Sequence, residues 1–553
     1  MNEKTKTGLL ILQVALLLGV STDVLLRSDY PGLNMLLLTG GTATAMAMLF
    51  TRRLPEAVSA NTWALLGAMV FFGAMFVWRS SPQLVAFDVL TIVAIFAVLA
   101  LPAFRIKLAT AGVSHYAMGF FSSALHAFFG PLLLLLDDIK WPDLPKKGWS
   151  RTVFSVIRGL LIATPLVLIF GALFVAADAS FEGLVNRVFN LNINFETIVS
   201  HIVVTSILSW LIAGYLRGAL NEPFVGVQPA TSVVPKPETI SEIIPSPISV
   251  TEIPSEEPQR KTEPASEAET KKQRDWQDYD NSVLPRGLTL DSVEIGVVLG
   301  LVDLLFLAFV VIQLPYLFGG MELVQNTPDF KLAEFARRGF GELVVVAVLV
   351  LPILLGSHWL LRKDSPLALK LFRVLGTVQI GLLFVIMASA VQRILLLTGN
   401  LGYGMTIQRF YPLVFITWLS IVFVWFGVTV MRGARKHFAW GALWSALALL
   451  GALHVFNPDA FIARHNIELM KQGREFDAHY NRTLSPDAVP ALVEGLPFMT
   501  RDQQCSLRRA IIHLGRAEDI RGWNWSRRTA AELGAENAAE LEALACSEFS
   551  DHY

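Results

Sequence analysis

Long apolar runs alternate along this chain with short loops rich in charge, Gly and Pro, and the length of the runs decides what they are. About 20 apolar residues rising about 1.5 Å each cross a hydrocarbon core of about 30 Å. Eleven runs reach that length, six in a first block and five in a second. The first block holds Gly8 to Leu26, Gly32 to Phe50, Asn61 to Trp78, Leu84 to Phe104, Val153 to Ala176 and Ile198 to Leu216. The second holds Val293 to Leu317, Leu343 to Leu361, Leu371 to Leu397, Tyr411 to Met431 and Ala439 to Phe456. Each is expected to be a helix, because a lone strand in lipid leaves its backbone donors and acceptors unpaired, at several kcal/mol each. Lys4 and Lys6 precede the first run, but it is too long for a cleaved leader and Ser21-Thr22-Asp23 offers no small-x-small site, so it reads as a retained span.

A twelfth stretch, Val113 to Leu136, is judged by where the cations fall. With the amino terminus in the cytoplasm, Lys4, Lys6, Arg52, Arg53, Arg105 and Lys107 lie inside, as the positive-inside bias expects. Lys140, Lys146, Lys147, Arg151, Arg362, Lys363, Lys370, Arg373, Arg432, Arg435 and Lys436 then lie inside only if Val113 to Leu136 does not change sides. The stretch, with Ser114, His115, Ser122, Ser123 and His126, therefore reads as an interfacial or re-entrant helix, and the carboxyl terminus falls outside. If it does span, the chain has twelve crossings and the second half inverts.

Between the blocks, Asn221 to Pro285 holds ten of the chain's 27 prolines among Glu, Ser, Thr and Lys. Such a composition buries too little apolar surface to offset about 1 to 2 kcal/mol per residue of backbone ordering, so it reads as a disordered linker, either a tether or a docking segment. From Asn457 the chain turns polar, and about Leu484 to Phe549 reads as short amphipathic helices. Ser485-Pro486-Asp487 looks like a capped helix start, Leu492, Leu496 and Phe498 supply one apolar face, and Leu507, Ile511, Ile512 and Leu514 another. Trp523 and Trp525 fill the core of this region or rest at the membrane interface, the core being favoured. The expected organisation is an N-terminal membrane bundle over 1–220, a linker over 221–285, a C-terminal bundle over 286–457 and a soluble helical region over 458–553. The fold class is all-α, a polytopic helical membrane protein of about eleven spans.

Composition agrees. Across 553 residues 53% are apolar and only 16% charged, and mean hydropathy is +0.52, where a soluble domain carries roughly a quarter charged residues. A net charge of -1 gives no reason to expect a nucleic-acid partner. The two cysteines, Cys505 and Cys546, exclude an iron-sulfur or cysteine-zinc module. They are a candidate disulfide if their domain is outside, and two buried thiols if it is inside. No phosphate loop, GxGxxG, HExxH, GxSxG or CxxC occurs, so no cofactor, metal or catalytic residue is expected. His454, His465 and His479 lack metal-ligand spacing and read as isolated loop or interface histidines.

Polar groups within spans are costly, at about 2.5 kcal/mol or more for a charge at the bilayer centre, and are the remaining functional candidates. Asp303 lies about eleven residues into its span, near mid-membrane, with Gln313 further along. It reads as an inter-helix hydrogen-bonding group, a proton or ion site, or a packed neutral carboxyl. Asp88 is close enough to its span's start to face the interface, Asp23 is expected to be solvated, and Arg393 could pair with a carboxylate.

Four motifs carry a resemblance. Gln313-Leu-Pro-Tyr-Leu-Phe-Gly-Gly320, Phe335-Ala-Arg-Arg-Gly-Phe-Gly-Glu-Leu343, Gly404-Met-Thr-Ile-Gln-Arg-Phe-Tyr411 and Asn457-Pro-Asp-Ala460 with Asn466 resemble the bacterial polytopic membrane family known as domain of unknown function 4173, a relative of family 4153. The resemblance covers Leu284 to about Trp525, and the first block more loosely. It implies an inner-membrane protein with no established activity; on the topology above, the linker is cytoplasmic. On the topology above Arg337, Arg338, Glu342, Arg409, Asn457, Asp459 and Asn466 share the outer face, where they either dock the C-terminal region, bind an anionic envelope ligand, or simply cap helices. The leading expectation is a non-enzymatic envelope sensor, scaffold or assembly partner, with the bilayer and an envelope or signalling protein as partners. The alternatives are an ion- or proton-coupled transporter using Asp303 and an intramembrane transferase acting on lipid-linked substrates.

Overall fold

A computed structural model of the chain describes residues 3–55, 58–141, 195–220, 289–318, 340–362, 366–400, 403–513, 519–544 and 546. The run Val153 to Ala176, the linker 221–285, Leu514, Arg337 and Arg338 lie outside the described residues. The chain is an all-α polytopic membrane protein, and eleven of its described helices are long and apolar enough to cross a bilayer. In order they are α1 (Glu3–Leu26), α2 (Leu33–Arg53), α3 (Ala60–Trp78), α4 (Pro82–Leu99), α5 (Val113–Leu133), α6 (Phe195–Leu220), α7 (Ser292–Phe318), α8 (Phe340–Leu360), α9 (Pro366–Leu395), α10 (Ile407–Thr429) and α11 (Phe438–Phe456). Ten coincide with runs read from the sequence, and the remaining one is α5. A polar region follows, with α12 (Pro458–Lys471), α13 (Ala478–Asn481), α14 (Val489–Gly495), α15 (Arg501–His513) and α16 (Trp525–Glu542).

Local chemistry starts and stops these helices. Ser59 caps α3 in a reciprocal box with Thr62, and Pro82 opens α4 at a position where its missing N–H costs nothing. Asn457, at φ 57°, ends α11 in the left-handed region and caps α12 by accepting from Ala460 N at 3.1 Å.

Ion pairs and bridges sort the helix ends onto two faces. Glu3 binds Arg53 at 3.0 Å, joining the start of α1 to the end of α2. Leu290 bridges to Leu361, joining the approach to α7 to the end of α8. The turns Leu108–Thr110 and Arg435–His437 touch, which places the two blocks' cationic loops at one end of the bundle. The helices of the C-terminal region sit at the opposite end, where Leu33 N donates to Trp523 O at 3.0 Å.

Helix α5 begins and finishes at the cationic end. Near its start a Cβ on Gly119 would meet Ala97 O and Leu101, at the cationic end of α4. Past its last turn the Asp138 carbonyl accepts from Thr5 Oγ1 at 3.3 Å, and its carboxylate accepts from Arg217 Nε at 2.6 Å. Thr5 opens α1 and Arg217 closes α6, so both ends of α5 return to one face and the helix lies across the bundle. Small residues permit the crossing: a Cβ on Gly214 would collide with His126 O, and one on Gly130 would stand 2.9 Å from Gly214 Cα. Its outward residues are apolar, with Phe121 69% and Leu136 81% exposed, which suits lipid rather than water.

Two hydrophobic cores result. One is built from α1 to α6 together with Leu447, Leu450 and Leu453 of α11 and the C-terminal helices; the other joins α7 to α10 with Phe438 at the start of α11. Helix α11 thus belongs to both. Within the C-terminal region, Leu492, Leu496, Leu507 and Ile511 are buried as the pattern predicts, and Cys505 is bonded to Cys546. Phe498 departs from the expectation: it is exposed beneath the Lys471 ammonium, 4.2 Å from its ring centre. Trp525 also lies on the surface, packed edge-on to Trp523, because the α16 face that turns inward is the one carrying Ser526, Arg527 and Ala530.

Candidate functional site

Two short motifs of identical design meet under the C-terminal region. Asn457-Pro458-Asp459 opens α12, and Ser485-Pro486-Asp487 opens the short 3-10 turn before α14; in each, a capping side chain and a first-turn proline precede an aspartate. Both aspartates are buried and reach back to other elements. The Asp487 carboxylate accepts from Ser80 N at 3.0 Å and Ser81 N at 2.8 Å, satisfying the bare amides at the start of α4, where a helix end favours negative charge. Its carbonyl accepts from Asn457 Nδ2 at 3.1 Å. Asp459 accepts from Ser485 N at 3.2 Å and from the Ser485 hydroxyl. Burial pushes the Asp459 carboxyl above its ordinary pKa and the neighbouring Asp487 charge adds to this, while the Ser485 hydroxyl opposes it.

The bundle supplies the other wall. Asp88 of α4 accepts from or donates to His454 Nε2 of α11 at 2.9 Å, the two side chains being 1% and 0% exposed. Arg79 donates from Nε to His454 O at 2.7 Å and lies over the Trp78 ring at 4.5 Å. Burial draws the Arg79 guanidinium below its ordinary pKa, against the pull of Asp487. The Tyr411 hydroxyl interacts with Ser81, Asp459, Asp487 and Asp88, which makes it the common neighbour of all three carboxylates. Asp88 Oδ2, His454 Nδ1 and Ser80 Oγ are buried with no hydrogen-bond partner.

A second node flanks it. Asn466 accepts from Met405 N at 2.7 Å and donates to Met405 O at 3.0 Å and Asn481 Oδ1 at 3.2 Å, clamping the strand-like turn at Gly404, whose φ is 71°. Arg409 donates to the carbonyls of Tyr403 and Gly404, and the Tyr480 hydroxyl accepts from Ile407 N at 2.7 Å. A third node joins α16 to the first block: Asn524 donates to Phe76 O at 2.7 Å and Arg79 O at 2.8 Å, and Arg527 to Pro31 O at 2.8 Å.

The structure thus gathers Asp88, Asn457 and Asp459 in one seam, with Arg409 and Asn466 beside it. Asp88 is neither interfacial nor a cap, as its position four residues into the span suggested, because α11 brings His454 against it. His454 is not an isolated histidine for the same reason. Asp23 is buried, not solvated: it pairs with Arg27 at 3.0 Å and with His201 of α6. Arg393 is buried near the far end of α9. Asp303 is buried in α7 with both carboxyl oxygens unpartnered. Gln313 and Glu342 fall within α7 and α8, but their side chains lie outside the described residues. Sequence reading missed the roles of Asp487, Arg79 and Tyr411; the repeated cap-Pro-Asp motif was the one signal that could have exposed Asp487. No group of His, Cys, Asp and Glu among the described residues is arranged to hold a metal ion.

A family model described as "Domain of unknown function (DUF4153)" matches residues 66–495, from within α3 to the end of α14. That range takes in the seam and the second node, and reaches back into the first block as far as α3. No curated protein and no solved structure matches the chain.

Proposed function

Because the chain belongs to the DUF4153 family, whose function is unknown, we propose that it is a non-enzymatic scaffold or sensor of the bacterial cell envelope. In it the membrane bundle holds the C-terminal helices in fixed register for a partner. The observation that carries this is the Asp487 carboxylate closing the start of α4: a residue of the polar region completes a helix of the bundle, so the two cannot move independently without baring buried amides. The four motifs at Gln313, Phe335, Gly404 and Asn457 support placing it in the 4173 branch.

Two independent features support the inner membrane with the C-terminal region outside. The cations gather at the opposite end of the bundle, as cytoplasmic loops do, and Cys505–Cys546 is a disulfide of the kind that persists in an oxidising compartment. A membrane-impermeant maleimide should label Glu536→Cys in intact spheroplasts, and labelling only after lysis refutes this orientation.

The scaffold reading expects Asp487→Ala to reproduce the envelope phenotype of a deletion and Asp303→Asn to leave the cell normal. The reverse result would replace it with the transporter reading, which the unpartnered Asp303 favours.

A further inference from the structure

The pairing of α7 with α9 places two polar side chains at one depth of the membrane. The helices run parallel from the cationic end, and a Cβ on Gly296 would sit 3.0 Å from Leu371 Cδ2, which puts these two residues at about the same depth. The same spacing carries Asp303 to the level of Val378, one residue short of Gln379. Asp303 lies about eleven residues past the start of α7, or about 16 Å along its axis, close to the midplane.

Helix α7 is one-sided. Ile295, Leu299, Asp303, Phe306 and Val310 are buried, while Leu301, Leu304 and Leu305 are exposed, so Asp303 shares the face that packs on α9. Gln379 is 0% exposed on the buried face of α9, among Phe372, Gly376 and Leu383. Both oxygens of Asp303 and both amide atoms of Gln379 lack a hydrogen-bond partner. An ionised carboxylate without a partner costs far more in such surroundings than a neutral one, and an unsatisfied amide costs about 1 to 3 kcal/mol. Two groups unpaired at the same depth are more economically explained by a shared occupant than by two separate defects.

We propose that Asp303 and Gln379 form a midplane proton-binding site, in which Asp303 carries an exchangeable proton and an ordered water links it to the Gln379 amide. The amide suits the task because it accepts through Oε1 and donates through Nε2, so it can satisfy the water in either charge state of the carboxyl. The site stands apart from the clasp between bundle and C-terminal region, since binding a proton does not require moving it across.

A hydrophobic carbodiimide tests this, since it adds to protonated carboxyls in apolar surroundings. On the purified full chain in detergent, Asp303 is expected to be modified in mildly acidic buffer and spared as pH rises, with sodium having no effect, and Asp303→Asn is expected to lose the adduct. Gln379→Leu, checked for a monodisperse elution profile, is expected to shift the midpoint of that pH profile by about one unit, or about tenfold in proton affinity. No adduct at Asp303 at any pH overturns the proposal, and so does a yield that ignores pH. Protection by sodium overturns it in favour of a metal cation. An unmoved midpoint in a well-folded Gln379→Leu variant removes Gln379 from the site and overturns the pairing.

Discussion

Asp88 and His454 show how a single side chain becomes costly to lose. Each is sealed from solvent and leans on the other, so replacing one leaves its partner buried without compensation, at about 3 to 5 kcal/mol, whereas replacing both by apolar residues removes the imbalance. Asp88→Leu and His454→Leu should each lower the thermal midpoint in detergent by several degrees, and the double variant should recover much of the loss. Additive losses would show that the two do not work as a pair. Asp459 makes a separate prediction about pH. Its folded-state pKa is raised, so the fold takes up a proton there; the resulting stability is complete below the ordinary carboxylate value of about 3.9 and is lost as pH rises through the folded value. Asp459→Asn should therefore flatten the fall in stability from acidic toward neutral pH, read from melting curves across that range. None of these partners was visible in the sequence, because Asp88 and His454 are 366 residues apart and hydropathy carries no information on which helices touch.

Helices were far more legible than contacts. Ten apolar runs became ten helices because length and hydropathy alone decide what can cross a bilayer. Helix α5 is where the two signals part: the charge on its flanks argues against a crossing, whereas its own length and composition suit a span. What the sequence could not show was how α5 is held, since that depends on Gly130 facing Gly214 and on Gly218 leaving room for His126, across two distant segments. Gly214→Leu should force α5 off α6, and a cysteine pair replacing Phe128 and Trp210, which are joined by a 2.9 Å hydrogen bond, should then stop cross-linking. Retained cross-linking would mean that the crossing tolerates bulk. Trp525 and Phe498 were misread because an amphipathic pattern names an apolar face without saying how much of it the neighbours cover.

At the scale of the molecule, the first hydrophobic core runs without interruption from α1 into the C-terminal helices, so bundle and polar region should unfold together. The sequence marked Asn457 as a change of composition, and composition is silent on whether a polar segment folds back onto the bundle. The disulfide adds a constraint on the outermost helices. It closes a loop with a sequence separation of 41, worth about 4 kcal/mol by chain entropy. Reductant should lower the unfolding midpoint of the wild-type chain and leave Cys505→Ser/Cys546→Ser unchanged, measured by tryptophan fluorescence. Equal sensitivity of both would place the effect elsewhere.

The closure of α4 by Asp487 also sets an order of assembly. Ser81 and its acceptor are 406 residues apart, so a hairpin laid down early in translation keeps two bare amides until a carboxylate emerges long afterwards. A nascent chain stalled before that point should carry an open, protease-sensitive turn between its third and fourth helices, and maturation of that hairpin becomes a readout of whether Asp487 has arrived.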